Sequence, residues 1–241
     1  MRNTLSPGVR CAPLVGVVAL LATAAAAADL TEFDARFSGR VSVAKVEIDG
    51  RLRKEPGTGT YVYVRESEPR GFARMFRREG VRECARFRVS DTGPVPISYE
   101  YRDGDDFGGK SSRILFDHDR ATAVSEYRGE TVEIPIPADV GPVYDRLSEE
   151  LAVPQELDAA PDAFSLLVIE RNALHTVRYR KLGAEELEIG GERHDTVVYE
   201  RRRGNSSRTS RIWYATALNH RPLRIERFKD GKSQGAATLD E

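Results

Sequence analysis

Residues 85–102 read ARFRVSDTGPVPISYEYR, and the spacing of their apolar side chains decides the fold. Every second side chain is apolar in Ala85–Ser90 and again in Ile97–Arg102, and the residues between them are charged or polar. Successive side chains of an extended strand point to opposite sides, so a period of two predicts strands with one apolar and one charged face. The period recurs at Thr196–Tyr199 and at Arg221–Phe228, where Leu223, Ile225 and Arg227 share a face.

Turn signals rich in glycine separate these runs. They are Asp49–Gly50, Asp103–Gly104, Gly129, Gly190–Gly191, Gly204–Asn205 and Asp230–Gly231. Such residues tolerate a positive φ at little steric cost, and short strands punctuated in this way are typical of a sandwich or a barrel. Because one face of each strand is heavily charged, that face must contact water, which favours antiparallel pairing.

One segment follows a helical period instead. In Asp139–Val153, the side chains of Val140, Tyr144, Leu147 and Leu151 are spaced by four, three and four residues, which places them along one helix face. Asp139 is the predicted N-cap, Pro142 lies in the first turn, and Pro154 ends the helix. We therefore predict a mainly β fold, a curved antiparallel sheet or a partly closed barrel, with one helical insertion packed in its concavity.

The N-terminus has the features of a cleaved secretory signal. Arg2 and Arg10 precede an apolar run from Leu14 to Ala28 that ends in three alanines, a small-x-small cleavage pattern. An uncleaved membrane anchor is the alternative, but the run is shorter than the roughly 20 strongly apolar residues that a spanning helix needs. We predict a signal peptide at residues 1–28, a single domain at residues 29–241 and a periplasmic location, with no transmembrane segment after signal removal.

The net charge argues against one class of partner, and the cysteine content limits the possible disulfides. Removal of Arg2 and Arg10 leaves 35 of 37 basic residues against 38 acidic ones, a net charge of −3. This small charge provides no field for nucleic acid, so no nucleic-acid partner is predicted. The mature chain keeps one cysteine, Cys84, which is predicted to be buried and unreactive, with pairing to another molecule as the alternative.

Several segments, taken in order, resemble a known family. They are Ile97–Tyr101, Ile114–Asp117, Tyr144–Ser148, Arg211–Ala215, Arg221–Ile225 and the hairpin at Asp230–Gly231. This order resembles the exported bacterial domain-of-unknown-function family 3108 over essentially the whole mature chain. The resemblance implies a β-rich envelope protein without an established activity, so no catalytic residues are transferred. By a looser analogy, it is similar to curved-sheet periplasmic lipoprotein carriers whose concave face shelters acyl chains.

Two motifs suggest chemistry that their surroundings contradict. Gly104–Ser111 matches the phosphate-loop pattern, but Asp105 and Asp106 would stand where phosphates bind, and a strand follows instead of a helix. We interpret it as a hairpin loop and predict no nucleotide partner. Asp117–Asp119 offers two carboxylates around His118, a partial metal shell, or else a turn in which Asp119 caps Arg120. We predict the turn, no metal and no cofactor.

No nucleophile motif such as G-x-S-x-G is present, so we predict a non-enzymatic protein.

Basic residues are frequent in the last third of the chain and form either an anion-binding stripe or cross-strand pairs with interleaved glutamates. They are Arg178, Arg180, Lys181, Arg201, Arg202, Arg203, Arg208 and Arg211. Lipid, acyl-chain or other hydrophobic-ligand binding in the curved sheet is the predicted function. The residues predicted to line the pocket are Tyr99, Tyr101, Tyr144, Leu147, Leu151 and Tyr214, with ordinary core packing as the alternative for Tyr99, Tyr101 and Tyr214. A protein-interaction module for another envelope component and an unrecognised hydrolase are the alternatives.

Overall fold

A computed structural model describes residues 30–41, 44–71, 80–104 and 110–240. The predicted signal peptide and residues 105–109 of the Gly104–Ser111 loop lie outside the described residues. Fifteen strands and one α-helix form the described part of the chain. The strands are β1 (Phe33–Val41), β2 (Ala44–Lys54), β3 (Thr60–Arg70), β4 (Val81–Ser90), β5 (Gly93–Asp103), β6 (Ser112–Asp117), β7 (Thr122–Tyr127), β8 (Glu130–Pro135), β9 (Val143–Tyr144), β10 (Ala163–Glu170), β11 (Ala173–Ile189), β12 (Glu192–Arg203), β13 (Arg208–Ala215), β14 (Arg221–Lys229) and β15 (Lys232–Leu239), and the helix is α1 (Arg146–Asp158).

All fifteen strands belong to one curled sheet, in the order β8-β7-β6-β5-β4-β3-β2-β1-β15-β14-β13-β12-β11-β10-β9. Strands β1 and β15, the first and last of the described residues, pair antiparallel at a central seam, with Phe37 opposite Leu239. Two arms extend from this seam. The first arm comprises β1–β8 and the second comprises β9–β15, and each runs as an antiparallel meander apart from the parallel β9–β10 pair.

The far ends of the two arms meet through a turn. Asn172, between β10 and β11, donates its backbone N–H to Ser125 Oγ (3.3 Å) and its side-chain amide to the Glu130 carbonyl (3.1 Å). Both acceptors belong to the β7–β8 hairpin of the first arm. The sheet therefore curls back on itself, which confirms the predicted curved antiparallel architecture.

The two-residue period positions the core as predicted. On β4, Ala85 and Phe87 are fully buried, whereas Arg86 and Arg88 face outward. A bulge interrupts the pairing of β4 with β5: Arg86 pairs with Ser98 and Phe87 with Pro96, which leaves Ile97 as the extra residue. A bulge of this kind shifts the alternation by one residue. Pro96 and Tyr99 can therefore both be buried on the inner face.

Five of the six predicted turn signals lie at strand ends, and the sixth prediction is wrong. Asp49–Gly50 lies inside β2, where Gly50 pairs with Arg65 of β3. A Cβ atom at this glycine would stand 3.2 Å from Tyr63 Oη. This close approach of the tyrosine side chain explains the glycine. A glycine in a strand and a glycine in a turn look alike in the sequence, so the turn was predicted here.

The helix begins and ends later than the sequence predicted. Asp139 is not its N-cap and Tyr144 is not part of it, because Val143–Tyr144 forms β9. Asp145 caps the helix: its Oδ1 accepts the N–H groups of Leu147 (2.8 Å) and Ser148 (3.0 Å), and Ser148 Oγ accepts the Asp145 N–H (3.0 Å). This reciprocal pair is a capping box, a stronger start signal than a lone aspartate.

Pro154 lies inside α1 and does not end it. A proline within a helix removes one N–H donor, here the partner of the Glu150 carbonyl, and tertiary packing can outweigh that loss. Val153 beside it is fully buried. The helix therefore continues to Asp158 because its second half packs against the sheet.

Helix α1 separates two hydrophobic cores. Leu147 is buried in the core of the first arm with Phe87, and Leu151 packs against the same core. Ala152, Val153 and Leu157 are buried in the core of the second arm with Tyr179 and others. The single apolar face predicted from Val140, Tyr144, Leu147 and Leu151 is therefore wrong, since Val140 is exposed before the helix and the helix has two buried faces.

Candidate functional site

A buried carboxylate joins the helix to the first arm. Glu83 on β4 turns inward, with 4% of its side chain exposed. Its Oε2 lies 2.5 Å from Arg65 Nη2, and its Oε1 lies 3.3 Å from Arg146 Nη1 and accepts the Tyr99 hydroxyl at 2.7 Å. Burial alone raises the pKa of Glu83, but the two arginines and the tyrosine outweigh it and lower the pKa to about 2.

A second buried carboxylate joins the helix to the other arm. Glu149 is fully buried, and Arg201 of β12 donates to it twice, from Nε to Oε1 (2.9 Å) and from Nη2 to Oε2 (2.6 Å). The Tyr179 hydroxyl also donates to Oε1 (2.7 Å). Burial and the neighbouring Glu149 charge raise the pKa of Tyr179, so its hydroxyl stays protonated and keeps donating.

Glu149 and Glu150 are adjacent in sequence but tie the helix to opposite arms. Glu150 Oε1 lies 2.5 Å from Arg65 Nη1 of β3, in the first arm, whereas Glu149 binds Arg201 in the second. Neighbouring helical residues point about 100° apart, so two consecutive side chains can reach two different walls. The helix is thereby held across the interior of the curled sheet.

Beside the helix, the sheet encloses a cavity of about 330 Å³. Strands at the seam contribute apolar side chains, which include Phe37, Ile48, Ile225 and Ala237. The helix, the neighbouring strands and the β10–β11 turn contribute charged ones, namely Arg65, Glu83, Arg146, Glu150, Arg171 and Arg227. The cavity therefore combines an apolar wall with a group of charged side chains, as expected of a site for an amphiphilic molecule.

Arg227 on β14 faces this cavity and is solvent-accessible. Among the residues that the structure describes, none forms a hydrogen bond or an ion pair with its guanidinium. Desolvation, followed by repulsion from Arg65 and Arg146, lowers its pKa. The sequence pattern predicts that Arg227 shares a strand face with Leu223 and Ile225, but it does not single this arginine out as a cavity residue.

The six residues predicted to line a pocket lie in different parts of the interior. Tyr101 lines the cavity, and together with Tyr99 it borders a small recess next to Arg146. Leu147 and Leu151 pack in the first core, whereas Tyr144 and Tyr214 are buried in the second. The structure thus brings Tyr99 and Tyr101 to the charged side of the cavity, and the ligand-binding role of the six stays a prediction.

The charged cavity residues were not identified from the sequence, although one signal was present. Glu83 lies two residues before Ala85 and four before Phe87, so the alternation of β4 places its carboxylate on the same, otherwise apolar, face. Charged groups on a buried face are rare unless they are paired. Arg65 and Arg146 carry no comparable local signal.

The Asp117–Asp119 motif forms a turn, as predicted, with a different cap. Asp117 Oδ1, and not Asp119, accepts the Arg120 backbone N–H (3.0 Å). His118 Nε2 lies 2.6 Å from the Pro96 carbonyl oxygen. No group of three or more His, Cys, Asp or Glu side chains that could hold a metal occurs within the described ranges.

The remaining sequence features are Cys84 and the basic residues of the last third. Cys84 is only half-buried and not buried as predicted, because it alternates with the buried Glu83 and Ala85 and so lies on the other face of β4. Its partial burial raises the pKa of the thiol, which opposes thiolate formation. The basic residues of the last third divide between the two sheet faces. Arg201 and Arg203 point inward to Glu149 and Glu170, while Arg180 and Arg202 lie 3.3 and 3.6 Å from Glu200. The predicted cross-strand pairing with an interleaved glutamate is confirmed for Arg180, which lies opposite Glu200. Arg202 lies on the same strand as Glu200, and Arg201 and Arg203 pair with glutamates of the helix and of β10 instead.

A sheet curled around a buried helix, with a cavity between them, defines a barrel-like fold. Residues 32–238 match the family described as "Protein of unknown function (DUF3108)", and the chain belongs to this family. In fold, it is similar to a β-barrel-like protein of domain of unknown function DUF1849 from Brucella abortus, with a TM-score of 0.55. That similarity covers 89% of this chain and 98% of the other at 5% sequence identity, so it concerns the fold alone.

The search of curated proteins found no match to the sequence. Among the helices of the described residues, none is both long and apolar enough to cross a bilayer.

Proposed function

We propose that this protein is a non-enzymatic envelope protein that binds a hydrophobic ligand, such as an acyl chain, in its interior cavity. The observation that carries the proposal is the cavity of about 330 Å³ with Phe37, Ile48, Ile225 and Ala237 on one side. Binding sites for small molecules commonly have volumes of about 300–1,000 Å³ and mostly apolar linings. Membership of a family of unknown function and a barrel-like fold are compatible with this role.

A periplasmic location forms part of the proposal. It is supported by the positive start at Arg2 and Arg10, the apolar run and the alanines at Ala26–Ala28. A carrier or sensor of envelope lipids would act in this compartment.

Absence of catalysis is proposed because the interior charges stabilise one another. Glu83 has a pKa of about 2 and is bound by two arginines, so it is a poor general base near neutral pH. Glu149 is likewise bound by Arg201 and Tyr179. For a hydrolase, Asp117 and His118 would have to meet a nucleophile, but in the structure they bond to backbone groups of Arg120 and Pro96.

A protein-interaction role is a second candidate, favoured by one observation. The sheet ends at β8, whose residues Glu130–Glu133 are exposed, and edge strands of this kind can receive a strand from a partner. Crosslinking in the periplasm tests it: a specific partner joined through β8 supports the interaction role, and its absence argues for the ligand-binding role alone.

Native mass spectrometry after mild purification tests the ligand-binding proposal, together with displacement of a fluorescent acyl probe. Ala237 is buried at the cavity wall, so Ala237→Phe fills part of the cavity and should weaken probe binding by at least tenfold. Ala184→Phe, at an exposed position outside the cavity lining, is the matched control and should bind as the wild type does. Equal binding by both variants, or no binding by the wild type, contradicts the proposal.

A further inference from the structure

The charges that line the cavity do not cancel. Its lining includes four arginines and two glutamates, an excess of two positive charges among the described residues. Such an excess beside a partly apolar space is unfavourable for the protein alone, because like charges repel and the more enclosed arginines, Arg65 and Arg146, lose solvation. The position of the excess therefore indicates what the cavity is built to receive.

Both glutamates already have arginine partners. Glu83 binds Arg65 and Arg146, and Glu150 binds Arg65. Arg171 lies 3.4 Å from Glu170 Oε1, and its guanidinium also lies 5.8 Å from the Tyr127 ring. These contacts leave no carboxylate of the lining for the remaining arginine.

Arg227 is that arginine. Within the described part of the chain, it has neither a hydrogen bond nor an ion pair, although it lines the cavity and a guanidinium carries five N–H donors. The next inward-facing residue on its strand is Ile225, which also lines the cavity. An unpaired guanidinium thus lies next to the apolar wall. This arrangement suits a molecule with a charged head group and a hydrophobic chain.

We infer that the ligand is an anionic amphiphile whose carboxylate or phosphate head binds Arg227 while its chain lies along Phe37, Ile48 and Ile225. This inference rests on the proposed function, since it assigns the head group to a ligand whose chain occupies the same cavity. A guanidinium forms paired hydrogen bonds with carboxylate and phosphate oxygens, and these are about twice as strong as bonds between neutral groups. Arg227 also supplies the anion with a counter-charge that Arg65 and Arg146 cannot, because their glutamates already neutralise them.

Displacement of the fluorescent acyl probe by three ligands of equal chain length tests the inference: dodecanoate, dodecyl phosphate and the uncharged dodecanol. The wild type should bind at least one of the anions about ten- to a hundredfold more tightly than dodecanol, as a charge-assisted hydrogen bond implies. The tighter of the two anions identifies the head group. Inorganic phosphate alone should not displace the probe, because it lacks the chain.

The variant Arg227→Met keeps an unbranched side chain and removes the charge. It should lose the preference for anions while its affinity for dodecanol stays within twofold of the wild type. Arg178→Met is the matched control, because Arg178 is exposed on the outer face of β11, and it should keep the preference.

Two results overturn the inference. Equal affinity of the wild type for the anions and dodecanol removes the role of the head group while the proposed function stands. An anion preference that survives in Arg227→Met assigns recognition to another residue. If no chain-bearing ligand displaces the probe from the wild type, the proposed function itself fails, and that result is distinct from the other two.

Discussion

Removal of Arg201 should destabilise the fold more than removal of any exposed arginine. Arg201 donates twice to Glu149, whose side chain is fully buried, and in Arg201→Met the Tyr179 hydroxyl is the one partner of that carboxylate left among the described residues. Loss of one partner of a buried ion pair costs about 3–5 kcal/mol, because the other charge stays buried without compensation. For a chain of this length, about 2–4 °C of melting temperature per kcal/mol gives a decrease of about 6–20 °C.

Urea unfolding followed by fluorescence of Trp213, the one tryptophan, provides the assay. Arg180→Met is the matched control: Arg180 lies 3.3 Å from Glu200, but 65% of its side chain is exposed, so its loss should cost at most about 1 kcal/mol. The double variant Glu149→Gln/Arg201→Met removes both charges and should recover much of the loss, which a double-mutant cycle measures as coupling. If Arg201→Met is no less stable than the control, the helix is not held by this pair.

Further predictions concern the first arm and the seam. Glu83→Gln should lose about 3 kcal/mol of stability relative to the wild type at pH 7. A carboxylate with a lowered pKa contributes its full stabilisation above its unfolded-state pKa and loses it as pH falls through its folded-state pKa, so the difference between variant and wild type should shrink from about pH 4.5 to pH 2. Urea midpoints at several pH values check this, and a difference that does not change with pH contradicts it. Arg227→Met should change the melting temperature of the ligand-free protein by only about 0–4 °C, and upward, since it removes an unpaired but exposed cation whose repulsion from Arg65 and Arg146 is screened by water; a melting temperature below that of the wild type in calorimetry argues that the guanidinium has a stabilising partner. Gly39→Ala should destabilise the seam by at least about 1–3 kcal/mol, because the Cβ of the new alanine would stand 2.1 Å from the Ala236 carbonyl oxygen of β15. If the variant has the same urea midpoint as the wild type, β1 and β15 do not pair this closely.

The strands were predictable because their signal is local. On β4, the alternation of Ala85 and Phe87 with arginines follows from the burial of one face, and the structure reproduces it. The helix was predicted within seven residues of its true start, because the sequence pattern assigns the cap to Asp139 where the structure has Asp145. The Asp145–Ser148 pair decides between them, since it satisfies donors in both directions.

The charged interior was not predictable, because its pairs join distant parts of the chain. Arg65 and Glu150 are 85 residues apart, and Glu149 and Arg201 are 52 apart. Within a single strand or helix, the pattern of these residues is that of an ordinary charged, solvent-exposed face. Only the curl of the sheet, which depends on the β1–β15 seam, brings them together around the helix.

Direct observation of a bound acyl chain is the most decisive measurement for this protein. A crystal structure with 12-bromododecanoate, recorded at the bromine absorption edge, locates the end of the chain independently of the protein coordinates. The bromine peak is expected inside the cavity, near Phe37, Ile48 and Ile225, with the carboxylate at Arg227. A saturated crystal whose bromine peaks lie only on the outer face of the sheet would contradict a ligand-binding interior.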